Sequence, residues 1–198
     1  MKAIPTDVIE RKPKKITFED YLLMPEITPP YEILDGELIM YAAPTPAHQK
    51  ISWNLAMPLG AYVYRNNLGV VLYAPVDIIV QRDPLRTRQP DVLFIHKDKL
   101  PGTRLADLEE LQPLEMAPDL AIEILSPSET KKKLSGKLAD YRRMGVKECW
   151  LVSRESRSVE VLGLTVKKSK RLGVFGLGET IRSQVLPDFQ LAVDTIFI

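Results

Sequence analysis

The stretch DLAIEIL, residues 119–125, constrains the fold of this chain more than any other. Leu120, Ala121, Ile122, Ile124 and Leu125 suit a strand in the interior of a sheet, yet Glu123 stands at its centre. An unpaired buried carboxylate costs several kcal/mol or takes up a proton. The fold must therefore bring Glu123 a compensating cation.

The flanking segments set the class. SETKKKLSGKLADYRRMG, 128–145, reads as a helix closed by Gly145, and ECWLV, 148–152, as the next strand. Upstream, ITFEDYLLMP has Thr17 as helix N-cap with Asp20 at the third position, and Pro25 ends it. YEILDGELIMY is a hairpin about Asp35 and Gly36. TPAHQKISWNLAMPLGAYVYRN is a helix opened by Thr45 and Pro46, with Ile51, Leu55, Leu59 and Tyr62 on one face and a kink at Pro58.

VVLYAPVDIIV and QPDVLFI follow as strands joined by a polar loop, 82–88. A partly helical, acid-rich connection carries Asp107, Glu109, Glu110 and Glu115. Beyond the 128–145 helix, SVEVLGLTV is a strand, GVFGLG a turn, and 181–198 edge strands and turns. The order helix, strand, strand, strand, helix, strand predicts an α/β architecture around a mixed sheet. A length of 198 residues fits a single domain, 1–198, with 1–15 as a polar leader.

Lys and Arg number 27 against 26 Asp and Glu, so no global field draws the chain to nucleic acid, although local patches can. A single cysteine, Cys149, forbids an intrachain disulfide. With no secretory signal and no apolar span of membrane length, the expected compartment is cytoplasmic.

Strand parity places Glu123 with Ala121 and Leu125 on one face of DLAIEIL. In QPDVLFI, Asp91 stands with Leu93 and Ile95. If these strands are neighbours the two carboxylates converge, and a divalent cation such as Mg²⁺ or Mn²⁺ relieves their repulsion. The bland alternative gives each its own lysine or backbone donor. On the following helix Leu134, Leu138, Tyr141 and Met144 form the apolar face, and Lys137 falls inside that arc. Glu123 is its obvious partner.

Asp77, within PVDII, and Glu37, after the hairpin turn, are further acids that can approach the same place, although turn chemistry or surface exposure explains each nearly as well. His48, in the first turn of its helix, reads first as a capping or packing residue. Two histidines and one cysteine make no zinc site of the usual spacing. Basic runs at 131–147 and 167–171 are either solvated faces or a phosphate-contacting rim.

Taken together, the residues resemble the Uma-type family of restriction endonucleases, within the PD-(D/E)XK nuclease superfamily. The likeness runs from YEILDGEL through PTPAHQKIS, PVDI, QPDVLFI, PDLAIEILSPS, K-x-x-x-Y-x-x-x-G-V and ECWLV to VLPDFQL. It implies a restriction-endonuclease-like core, a mixed sheet flanked by helices in the order α-β-β-β-α-β, with an N-terminal hairpin and extra C-terminal strands. It also implies metal-dependent hydrolysis of phosphodiester bonds in nucleic acid, with DNA the expected substrate. The motif's acids map onto Asp91, after Pro90, and Glu123. The superfamily lysine, normally two residues beyond the second acid, maps instead onto Lys137, because Leu125 occupies that position. Asp91, Glu123 and the carbonyl of Ile124 would hold Mg²⁺ or Mn²⁺, and a homodimer would bring two sites to two strands.

Family members often carry aspartate one helical turn before this lysine, where the chain has Lys133. A second lysine there lowers the proton affinity of Lys137 or marks a drifted site. Ser153, where the strand often ends in aspartate, is a structural departure. The competing readings are a drifted nuclease-like fold that binds nucleic acid or protein without cutting, and a domain in which Glu123 and Lys137 form only a structural pair.

Overall fold

Thr17 accepts the backbone N–H of Asp20 and Asp20 returns a bond to the Thr17 N–H, a capping box that opens helix α1 (Phe18–Leu22). The structure, a computed structural model, describes residues 14–25, 27, 30–109, 111, 113–126 and 130–198. Most of the expected leader, Glu110, and the expected first residues of the helix at 128–145 lie outside these.

Strands β1 (Tyr31–Leu34) and β2 (Glu37–Met40) form the predicted hairpin. Asp35 and Gly36 both turn through positive φ, 53° and 81°, as a tight Asp-Gly hairpin turn requires. Helix α2 (Pro46–Arg65) is capped by Thr45 and runs on through Pro58 as one element. It buries Ile51, Leu55, Leu59 and Val63.

The segment 70–80, expected to be one strand, divides. β3 (Gly69–Tyr73) joins the main sheet, and β4 (Ile78–Gln81) instead pairs with β5 (Arg86–Arg88) in a separate two-stranded ribbon. Pro75 lies at the break, where its missing N–H cannot serve a ladder. β5 also replaces part of the loop expected at 82–88. Next come β6 (Val92–His96), the short helix α3 (Leu105–Leu108), β7 (Leu120–Leu125), α4 (Lys131–Met144) and β8 (Glu148–Ser153). Thr130 caps α4, and Gly145 closes it in the left-handed conformation at φ 95°.

β9 (Ser158–Leu164) and β10 (Ser169–Phe175) extend the sheet. The residues Gly173, Val174 and Phe175 thus end a strand instead of forming a turn, because β9 offers them a ladder. β11 (Thr180–Arg182) and β12 (Gln190–Ala192) pair near the C-terminus.

The main sheet runs β10-β9-β8-β7-β6-β3, with β7 and β8 parallel and the other pairs antiparallel. α4 is the crossover that parallel neighbours need. The sheet is therefore mixed and flanked by helices. On one face α2 and the C-terminal segment cover Leu120, Ile122, Ile124 and Trp150. On the other, α4 brings Leu134, Leu138 and Tyr141 against Ala121, Cys149 and Leu151. Glu123 belongs to this second face by strand alternation. Beside it, α1, the hairpin and the ribbon share Phe18, Ile33, Ile79 and Leu85. Among the described residues no helix is long and apolar enough to cross a membrane.

Candidate active site

β6 and β7 are neighbours, paired Val92 with Ile122 and Leu93 with Ala121. One step further in this antiparallel register, Asp91 stands opposite Glu123. The Asp91 carboxylate accepts the backbone N–H of Ile124 at 2.6 Å. Its other oxygen lies 3.3 Å from Nε2 of His48, whose backbone N–H is capped by Thr45 at the start of α2. His48 therefore does more than pack, since its ring lies beside the Asp91 carboxylate. Its Nδ1 is buried without a hydrogen-bond partner among the described residues.

Glu123 is 4% exposed. Lys137 Nζ lies 2.7 Å from its Oε2, and the Tyr141 hydroxyl donates to its Oε1. Lys137 and Tyr141 stand one helical turn apart, so α4 presents both to one carboxylate. Burial pushes the Glu123 carboxyl up to about 7; Lys137 opposes the rise and the charge of Asp91 adds to it. Burial and Glu123 also raise Tyr141 well above an ordinary phenol, so it remains a donor.

Glu32, in β1, is 2% exposed and its Oε1 lies 4.0 Å from Lys137 Nζ. Arg88 Nη1 and the Tyr41 hydroxyl each reach Glu32 Oε2 at 2.7 Å. Arg88 bridges onward to Asp140 of α4 at 2.6 Å, and Arg86 links Asp140 to Asp35. Hairpin, ribbon and α4 are thus tied together by buried charges, each with a partner of opposite sign. The sequence reading missed Glu32, Arg88 and Asp140. An acid inside an apolar strand was the available signal for Glu32, but Arg88 and Asp140 become visible only when distant elements meet.

The other candidates separate from this centre. Asp77 accepts the hydroxyls of Tyr21 at 2.8 Å and Tyr31 at 2.6 Å, and the Gln89 amide at 2.8 Å. These tyrosines capture it because the division of the 70–80 segment carries it away from the main sheet. Glu37 is exposed at the start of β2, and among the described residues no hydrogen bond or ion pair joins it to Asp91, Glu123 or Lys137. Lys133 is exposed, with Nζ 5.9 Å from the ring centre of Tyr41, at the outer edge of the Glu32 network.

Among the described residues no three carboxylate, histidine or cysteine side chains already form a ligand set. The donor chemistry nevertheless fits a hard divalent cation. Two carboxylates stand opposite each other across one strand pair, and the charge of Asp91 raises the cost of ionising Glu123. Mg²⁺ keeps several waters and asks for only one or two carboxylates.

The model of the Uma2 family, described as "Putative restriction endonuclease", matches residues 18–194. The chain belongs to the Uma2 family. A solved structure with the same fold as this Uma2 chain is "a putative nuclease belonging to DUF820" from Anabaena variabilis ATCC 29413. It is 19% identical with a TM-score of 0.74, over 92% of this chain and 97% of that one. No curated protein matches the sequence. The Uma2 match covers the hairpin, α2, the main sheet and α4, so every element that supplies a residue to the centre lies within it.

Proposed function

We propose that this Uma2 chain is a divalent-metal-dependent endonuclease that hydrolyses phosphodiester bonds of DNA. The observation that carries the reading is the placing of Asp91 opposite Glu123 on adjacent strands, with Lys137 2.7 Å from Glu123. Asp91, Glu123 and the carbonyl of Ile124 would hold Mg²⁺ or Mn²⁺. A strand residue turns its N–H and C=O to the same side, so the Ile124 carbonyl shares the edge on which its N–H meets Asp91. Such a cation, when bound, polarises the phosphate and lowers the pKa of a bound water.

The chain's own residues do the remaining work. Lys137 holds positive charge beside the acids, where negative charge grows on the phosphate. Tyr141 fixes the second oxygen of Glu123, and His48 with the Ile124 N–H fixes Asp91. The Glu32, Arg88 and Asp140 network sets the position of α4. Exposed Lys131, Lys132 and Lys133 begin α4 and supply phosphate contacts without sequence readout.

Double-strand cleavage asks for two sites, and the outward face of α2 supplies a surface for a homodimer. Trp53, Met57 and Tyr64 lie on it at 60%, 52% and 85% exposure, with open space over Gly60 between them. A two-fold axis near Gly60 would set Trp53 of one copy against Tyr64 of the other. The compartment is the cytoplasm, in keeping with a buried free thiol at Cys149.

One observation favours a binding-only module. Both oxygens of Glu123 and both of Asp91 already have protein partners. Incubation of supercoiled plasmid and single-stranded DNA with Mg²⁺ or Mn²⁺, with Glu123→Ala in parallel, decides between them. Cleavage that vanishes in the variant supports the nuclease. Salt-sensitive DNA binding without product, from a folded wild type that ignores Mn²⁺, supports the binding module.

A further inference from the structure

The bonds to Asp77 lie in the wall of a cavity of about 880 Å³, within the size range of small-molecule sites. Tyr21, Tyr31, Asp77 and Gln89 are its polar group, and Val70, Leu72, Ile95, Leu100 and Leu114 are among its apolar walls. Glu109 also borders it, and no lysine or arginine does among the described residues.

Asp77 is held by three donors and every one is neutral: the hydroxyls of Tyr21 and Tyr31 on Oδ2, and the Gln89 amide on Oδ1. Among the described residues none forms an ion pair with it. The contrast with the rest of the molecule is direct. Glu32 and Asp140 share Arg88, Glu123 has Lys137, and Asp119 has Lys99 and Lys147. Burial and Asp77 push both tyrosine hydroxyls well above the ordinary phenol range, so they stay protonated and keep donating to the carboxylate.

The atoms left for a ligand are mostly acceptors. Gln89 Oε1, the tyrosine oxygens and the remaining lone pairs of Asp77 accept, against one spare Gln89 N–H. The tyrosine rings add electron-rich faces, which attract cations. A phosphate or carboxylate would meet like charge here, so this is no extension of a nucleic-acid groove. The apolar walls match a hydrocarbon or aromatic body.

We propose that the Tyr21, Tyr31, Asp77 and Gln89 cavity binds a small organic cation, an amine, amidine or guanidinium carried on an apolar body. The charged head sits against Asp77 between the tyrosines, and the body lies along Leu72 and Ile95. The site is separate from Glu123 and Lys137 and does not depend on the nuclease reading.

Calorimetric titration of the full chain with benzamidine and agmatine tests it, with benzamide and benzoate as neutral and anionic controls. Benzamidine should bind at least about tenfold more tightly than benzamide, and benzoate should not bind. Asp77→Asn should weaken benzamidine by about tenfold or more, and Glu123→Gln should leave it unchanged. Should Asp77→Asn fail to fold, the wild-type preference for benzamidine over benzamide still decides the matter, and Leu72→Trp, which fills the cavity, should abolish binding. An acetylated, amidated arginine tripeptide separates the sources: binding like agmatine supports a protein side chain as the cation, and binding of the free cations alone supports a small molecule. Equal affinity for benzamide and benzamidine, no binding at millimolar concentration, or loss of binding in Glu123→Gln would overturn the proposal.

Discussion

Asp91 accepts a 2.6 Å hydrogen bond from the backbone N–H of Ile124, the residue that follows Glu123. The side chain of one acid is thereby pinned to the backbone beside the other. The two carboxylates are held near each other by the β6–β7 pairing itself, with no need of a flexible loop. Such rigidity is what a site that must keep two like charges together requires.

Ionising Glu123 should cost the fold stability. Its carboxyl is raised to about 7 in the folded protein from an ordinary value of 4.5, chiefly by burial. The native state then binds more protons than the unfolded chain between those values, so this contribution is full below about 4.5 and is lost as pH rises through about 7. In urea unfolding across this range, Glu123→Gln should remove a fall on the order of 2–3 kcal/mol relative to wild type. An identical pH profile for the two proteins would contradict the assignment.

Lys137→Met should leave Glu123 buried without its cation. Loss of one partner of a buried pair costs on the order of 3–5 kcal/mol where Glu123 is ionised, above about pH 7, and less below it, where the carboxyl takes up a proton. Cleavage, where present, should fall by ~100- to 1,000-fold, the scale for removing one donor aimed at developing charge. Denaturant midpoints and plasmid-nicking rates measure the two effects separately.

Arg88 links the hairpin to α4 through Glu32 and Asp140, and its side chain is 5% exposed. Arg88→Met takes the shared cation from both acids, leaving Asp140 with Arg86 and Glu32 with Tyr41 and the more distant Lys137, and should destabilise by roughly 3–5 kcal/mol. Adding Asp140→Asn should recover part of that loss, because the double variant removes one of the two buried acids that had shared Arg88. A strictly additive double-mutant cycle would show that the two residues are not coupled.

Lys133 is exposed against Tyr41, so its replacement should not disturb the fold. If it meets a phosphate, Lys133→Asp weakens DNA binding uniformly across sequences. The slope of log affinity against log salt should fall by about one. Fluorescence anisotropy over a salt series reads this directly, and an unchanged slope would place Lys133 outside the interface.

Trp53 and Tyr64 expose 60% and 85% of their surfaces on the outer face of α2. Trp53→Lys should convert a dimer to a monomer in light scattering while leaving the circular dichroism spectrum intact. A wild type that stays monomeric at tens of micromolar would remove α2 as the dimer surface.

By itself, the sequence determined what is periodic or local. Alternation in DLAIEIL assigned Glu123 to the face of Ala121 and Leu125, and helical phase placed Lys137 in the apolar arc of α4. The Thr17 and Thr45 caps, the Asp35-Gly36 turn and the Gly145 stop follow equally from short-range sterics and hydrogen bonding, which neighbouring residues carry with them. Tertiary structure alone decided which distant charges meet. Glu32, Arg88 and Asp140 come from a hairpin, a ribbon and a helix, and no local spacing relates them. Asp77 and the two acids of the centre look alike in sequence, each a carboxylate near an apolar strand. Only the break at Pro75 sends Asp77 to Tyr21 and Tyr31, while the β6–β7 register sets Asp91 against Glu123. Local preferences act within a few residues along the chain, whereas strand order, register and buried ion pairs are set together, when the whole core forms and each buried charge must find its partner.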